Sequence, residues 1–254
     1  MELRIDVEKE LTSCFRLMGA VVSDDSTQPD RTSNADYWFP EDNVVAELKC
    51  MSTNYFSDRT FMEWLSRAYQ SWVTKGLAPR LYTKTAKVNL ANLDPRCYQE
   101  VLGFVKKRVE RSFKQASKQI KATKAAQGAK AATGLLLLVN DGNFGVVPAM
   151  VETIAARCLP KYSGINTVIY FSVNMPMSAP RMDVDLLPWC IWSKSSVRPA
   201  VPDVFLDRVR ECWHKHYESI VGEPIGVLSG TDDALLAMEY IKRDRASDFG
   251  RKRD

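Results

Sequence analysis

The stretch Asn34–Cys50, NADYWFPEDNVVAELKC, decides the fold and sets a problem in charge. Its two arms, rich in Tyr, Trp, Phe and Val, flank Pro40-Glu41-Asp42-Asn43, where proline presets φ and Asp and Asn tolerate turn geometry. A β-hairpin closed there places Phe39 opposite Val44, Trp38 opposite Val45, Tyr37 opposite Ala46 and Asp36 opposite Glu47. A two-residue loop at Glu41 and Asp42 keeps the same register. Side chains alternate along a strand and cross-strand partners share a face, so Asp36, Glu47 and Lys49 converge, while Val44, Ala46 and Leu48 form the opposite, apolar face.

Two carboxylates directly opposite each other repel, and something positive must compensate. Lys49 alone would do so in an edge hairpin whose solvent face carries an ion-pair cluster. Alternatively a divalent cation sits between the acids, since Mg²⁺ is held by one or two carboxylates together with water and a substrate phosphate. A lysine beside such a cation orients water or balances charge on a phosphoryl transition state.

The arrangement resembles the PD-(D/E)xK nuclease superfamily, the restriction-endonuclease-like fold, with Asp36 as the first acid and Glu47-Leu48-Lys49 as the ExK triplet. An ExK triplet alone is weak evidence, because a chain with 26% charged residues carries one about once by chance. Its place in a hairpin with an acid in register adds weight. The resemblance implies Asp36 and Glu47 as ligands of Mg²⁺ or Mn²⁺, joined by Glu10 or Glu8 from the first helix, and Lys49 as the catalytic lysine. Lys118 and Gln119, within KQASKQI, would support the site from the long helix. No proline precedes Asp36, and the stretch Cys50–Cys97 separates Lys49 from that helix. Either a helical insertion sits there, or the helix around Glu63–Trp72 is the true partner. The implied activity is hydrolysis of nucleic-acid phosphodiesters, DNA foremost, in restriction or host defence. The rival reading is a non-cleaving nucleic-acid-binding or assembly module on the same fold; a homodimer or larger complex is left open.

Working outward, helical spacing of apolar residues predicts helices over Val7–Met18, Arg59–Lys75, Tyr98–Ala126, Pro148–Cys158 and Asp203–Ile220. Ala20–Ser23 reads as a short strand. LLLLVND (135–141) and INTVIYFSV (165–173) read as strands buried on both faces, and strand–helix–strand with short joints implies a parallel crossover. The expectation is therefore an α/β domain over residues 1–244: a mixed central sheet flanked by helices, core to about residue 175 and an extension over 176–244. Beyond Met175 the Pro-rich stretch reads as loop. The basic tail 245–254 reads as disordered.

The 254 residues, 45% hydrophobic, suffice for one large core, and the net charge of +4 is modest. Its distribution says more. Lys106–Lys130 holds nine basic residues and one acid, Glu110. Arg111, Lys114, Lys118 and Lys121 share one helix face, read either as a solvated face or as a phosphate contact. Six dispersed cysteines without a CxxC pair, and charges where a signal peptide has its apolar core, predict free thiols in the cytoplasm. No apolar run is long enough for a membrane span. His214 and His216, two apart on a helix, point away from each other and read as packing residues. Trp64, Tyr69 and Trp72 read as core, and NDGNFG (140–145) as a turn.

Overall fold

The computed structural model describes residues 4–23, 34–81, 93–178, 186–194, 199–222 and 239–240; the tail at 245–254 lies outside the described residues. The elements follow in the order α1 (Val7–Leu17), β1 (Val21–Val22), β2 (Tyr37–Phe39), β3 (Val44–Met51), α2 (Arg59–Thr74), α3 (Pro95–Ala126), β4 (Thr133–Asn140), α4 (Pro148–Cys158), β5 (Thr167–Ser172), β6 (Met177–Ser178), β7 (Trp189–Ser193), α5 (Asp203–Val221) and β8 (Glu239–Tyr240). Six strands form one mixed sheet in the order β1-β2-β3-β4-β5-β7, and β6 pairs separately with β8. The domain is thus α/β, with helices on both faces of a central mixed sheet.

The hairpin closes in the register read from its turn, Phe39 with Val44, Trp38 with Val45 and Tyr37 with Ala46. Asn43 takes a left-handed φ of 54°, which its short polar side chain tolerates, and donates its N–H to Pro40 O at 3.3 Å. β3 then runs parallel to β4, and β4 to β5, while β7 closes the far edge antiparallel to β5. β4 is buried at every position, which explains its unbroken apolar sequence: in a parallel array both faces are covered.

Local chemistry sets the helix ends. Asp6 caps α1, accepting from Lys9 N at 3.2 Å, with Glu8 and Glu10 favourably placed in the first turn. Asp94 caps α3, accepting from Arg96 N at 2.9 Å, and Pro95 sits where a missing N–H costs nothing. The 32 residues of α3 span about 48 Å.

One face of the sheet is covered by α3 and α4, through Val105, Val109, Phe113, Ala116 and Ile120 and through Val151, Ile154 and Cys158. The other is covered by α1 and α5, through Val7, Leu11, Phe15, Phe205, Leu206 and Trp213. Between β3 and α3, α2 is an inserted helix that packs Phe61 and Trp72 onto Cys97 and Val101, away from the sheet. Trp64 stacks on Phe104 at 5.1 Å, so these aromatics serve packing.

One reading changes here. Trp189–Ser193, read as loop, is a strand that completes the sheet; its five residues are too few and too close to prolines for periodicity to declare them. β7 and α5, both beyond residue 175, are built into the sheet and the α1 layer. Phe113 is wholly buried in the larger cluster. Phe113→Ala is expected to cost about 3–5 kcal/mol of unfolding free energy, measured by urea denaturation.

Candidate functional site

β3 is an interior strand, third of six, and this changes what its charges mean. Val45, Glu47, Lys49 and Met51 alternate onto the face covered by α3, and Val45 and Met51 are in its core. Glu47 and Lys49 lie beside Leu136 and Leu138 of β4. Glu47 has 0% exposure, whereas the Lys49 side chain keeps 23%. An ion-pair cluster on the solvent face of an edge hairpin is therefore excluded: the acid is sealed in, and the lysine lies between it and water.

Asp36 stands just before β2, where the chain bends. Its backbone N–H donates to Glu47 Oε2 at 3.1 Å, and its own Oδ2 accepts from Leu48 N at 2.8 Å. Lys49 Nζ donates to Glu47 Oε1. The Asp36 and Glu47 carboxyls interact electrostatically. The three residues named from the hairpin register are thus brought together.

Burial holds the Asp36 carboxyl above the usual range, opposed by the Leu48 N–H and Lys49, with the negative charge of Glu8 adding to the rise. Burial, and next the charge of Asp36, push Glu47 up to about 8, although Lys49 pulls the other way. Two carboxyls brought together under burial favour holding a proton or a cation between them.

α3, not α2, packs on this hairpin. Gln119 Nε2 donates to Asn34 O at 3.2 Å, and Thr123 Oγ1 accepts from Ala35 N at 2.7 Å, so two turns of α3 pin the backbone leading into Asp36. Gln119 thus acts on the approach to the site rather than on its carboxyls. Lys118 is exposed, and among the described residues it makes no hydrogen bond or ion pair with the three. Thr123 escaped sequence reasoning because a threonine inside a basic helix carries no motif. Glu10 is engaged elsewhere: His216 Nε2 lies 2.7 Å from its Oε2 and Lys9 Nζ 3.6 Å from its Oε1. The α1 acid whose charge reaches Asp36 is Glu8. His214 turns away from His216 and meets the edge of Trp189. Cys50, by strand alternation, faces away from Lys49.

The loop read as a turn at NDGNFG does more. Asn140 and Asn143 are fully buried. Asn143 accepts from Tyr55 N at 2.7 Å and donates to Met51 O at 3.0 Å, while Asn140 donates to Asn143 O, Val146 O and Tyr170 Oη. At Gly142, with φ 141°, a Cβ would lie 2.7 Å from Ser52 O. β4 therefore anchors the loop that leaves β3 beyond Lys49. Asn143→Ala is expected to cost about 2 kcal/mol, by orphaning the Tyr55 N–H and removing one of the two hydrogen bonds to the Met51 carbonyl, which keeps that from Asp141 N; denaturant midpoints check this.

Could the residues hold a metal? Among the described residues, no three His, Cys, Asp or Glu side chains gather around one point. A closed Zn²⁺ or Ca²⁺ cage is therefore not what these residues offer. Two adjoining carboxyls, one drawn far above its ordinary range by burial and like charge, do fit a hard divalent cation completed by water and a phosphate. Arg111, Lys114, Lys118 and Lys121 are all exposed along α3. Among the described residues, no helix is long and apolar enough to cross a membrane. The sequence matches no protein-family model, no curated protein and no solved structure.

Proposed function

We propose that the protein is a metal-dependent nuclease of the restriction-endonuclease-like class, hydrolysing phosphodiester bonds in nucleic acid, DNA foremost. The observation that carries the reading is an acid–acid–lysine constellation built around a carboxyl, Glu47, that is sealed into an interior strand, with Asp36 and Lys49 beside it and partly exposed. A core position such as Glu47 ordinarily holds an apolar side chain, and an unexploited buried carboxyl pair is a net cost. The order α1-β1-β2-β3, then α3-β4, with α2 as an insertion, supports the same reading.

Asp36 and Glu47 would hold Mg²⁺ or Mn²⁺, and of the two α1 acids it is Glu8 whose charge bears on Asp36. Bound there, the metal supplies an activated water and neutralises charge on the scissile phosphate. Lys49, with its partial exposure, reaches the reacting phosphate and stabilises the charge that develops on it. Gln119 and Thr123 hold the backbone that aims Asp36. The exposed bases of α3 attract the polyanion and contribute salt-dependent affinity without reading sequence.

The test is incubation of supercoiled DNA, linear DNA and RNA with the full chain in Mg²⁺, in Mn²⁺ and in EDTA. Cleavage only with the metals is the expected result. Salt-sensitive binding without cleavage under any condition would replace this reading with the non-cleaving binding module.

A further inference from the structure

Beyond Lys49 the chain turns through Thr53 and Tyr55, and there a pocket of about 290 Å³ opens between this loop and α3. It is lined by Thr53, Tyr55, Arg108, Arg111, Ser112 and Gln115, none of them acidic. Arg108 is already committed: its guanidinium sits over the rings of Tyr55 and Phe104, 5.1 Å from each centroid, and pairs with Asp58. Arg111 is different. It is exposed, its charge reaches Tyr55, and among the described residues it makes no ion pair. Thr53, Ser112 and Gln115 likewise have side chains without hydrogen-bond partners among the described residues. Four uncommitted side chains able to donate, one of them a guanidinium, therefore converge on one small pocket.

We infer that this pocket binds a phosphate group of the nucleic-acid strand, beside the cleavage site and on its Lys49 side. The inference rests on the nuclease reading for its ligand class and deepens it by assigning a direction to the strand. A guanidinium beside hydroxyl and amide donors matches phosphate, to which Arg donates in fork geometry. The volume is near the lower end for ligand sites, which suits one phosphate and its sugar rather than a larger ligand. Position supports it too. Residues 108, 111, 112, 115 and 119 recur at steps of one, three and four along α3, and their row runs from this pocket to Gln119 at Asn34. Asp36 lies beside the Gln119 end and Lys49 toward the pocket. Thr53 follows Lys49 by four residues, so at most about 14 Å separates their Cα atoms. A strand lying along this row has one phosphate in the pocket and another, one or two along, over Lys49.

The test measures binding of a labelled single-stranded DNA oligonucleotide by anisotropy in EDTA, where no cleavage occurs, across a salt series. Arg111→Gln and the double variant Ser112→Ala/Gln115→Ala are compared with Lys215→Gln, the same charge change on the exposed face of α5 in the opposite layer. Arg111→Gln is expected to weaken binding about tenfold and to lower the salt slope by about one. The double variant should weaken binding severalfold, and Lys215→Gln should match the wild type. With wild-type cleavage, Arg111→Gln should raise KM and leave kcat unchanged, because the pocket holds ground and transition states alike. Oligonucleotides with and without a 5′-terminal phosphate separate the two sources of the group: an equal effect on both assigns an internal diester, an effect confined to the phosphorylated one assigns a terminal phosphate. Wild-type affinity and slope in both pocket variants, or losses no greater than with Lys215→Gln, would overturn the site. Binding that depends on Arg111 without cleavage in any metal would retain the pocket and reject the nuclease; cleavage indifferent to Arg111 would do the reverse.

Discussion

Glu47→Gln is expected to lower metal-dependent cleavage at least about a thousandfold while leaving DNA binding in EDTA within a few-fold of the wild type. The amide keeps the shape of the side chain and the acceptor used by Asp36 N–H, but it can carry no negative charge toward a cation. Lys49→Ala should produce a loss of similar order for another reason. It removes the partly exposed cation that sits on Glu47 Oε1 and would face the phosphate. The two variants differ in stability. Glutamine relieves the buried charge at Glu47, so Glu47→Gln should melt at or above the wild type at alkaline pH, whereas Lys49→Ala leaves the Glu47–Asp36 pair uncompensated and should melt lower. Supercoiled-plasmid nicking rates and thermal melts, run on the same preparations, separate lost chemistry from lost fold. Wild-type cleavage by both variants would remove Glu47 and Lys49 from the mechanism.

The second large effect needs no nuclease assay. The Glu47 carboxyl sits near pH 8 in the folded chain against an ordinary 4.5. Between those values the native state retains a proton that the unfolded chain has released. The contribution is fully present below about 4.5, and it is lost as pH rises toward 8. In EDTA the melting temperature should therefore fall from pH 6 to pH 9, by an amount corresponding to a few kcal/mol. Asp36, also raised by burial, adds in the same direction. A divalent cation binding the ionised pair should reverse the loss at high pH, by about 2.7 kcal/mol at a hundred times its dissociation constant. Glu47→Gln should flatten the pH dependence and abolish most of the cation's effect. Equal melting temperatures for wild type at pH 9 with and without Mg²⁺ or Mn²⁺ would deny the pair a role as metal ligands.

These effects trace back to how much of the molecule its sequence specifies. The hairpin register followed from one turn: Pro40 and Asn43 allow only a short connection, and period-two alternation does the rest. The helices at 59–74, 95–126, 148–158 and 203–221 were legible to within a few residues, because each carries an apolar stripe and most carry a cap or a proline at the start. LLLLV was legible as a strand buried on both faces because it has no polar alternation at all. β7 was not, since a five-residue edge strand is defined by its partner, β5, rather than by any period of its own.

The convergence of Asp36, Glu47 and Lys49 was likewise local information, carried by residues close in sequence. What local information could not supply was their environment. Burial of Glu47 depends on β4, which lies beside it from far along the chain, and on α3 above it. That environment, ahead of the Asp36 charge that the register brings near, drives the Glu47 carboxyl upward. The same holds for the helix partners. Sequence offered Glu10 or Glu8, and α2 or α3; the fold turned Glu10 toward His216 on α5 and set α3 against the hairpin. By itself, then, the sequence determined which residues meet across one turn, because strand geometry is periodic and short-ranged. Only the tertiary structure decided which of them are sealed from water and what shares their site, because burial and long-range charge are properties of the packed layers and not of any single segment.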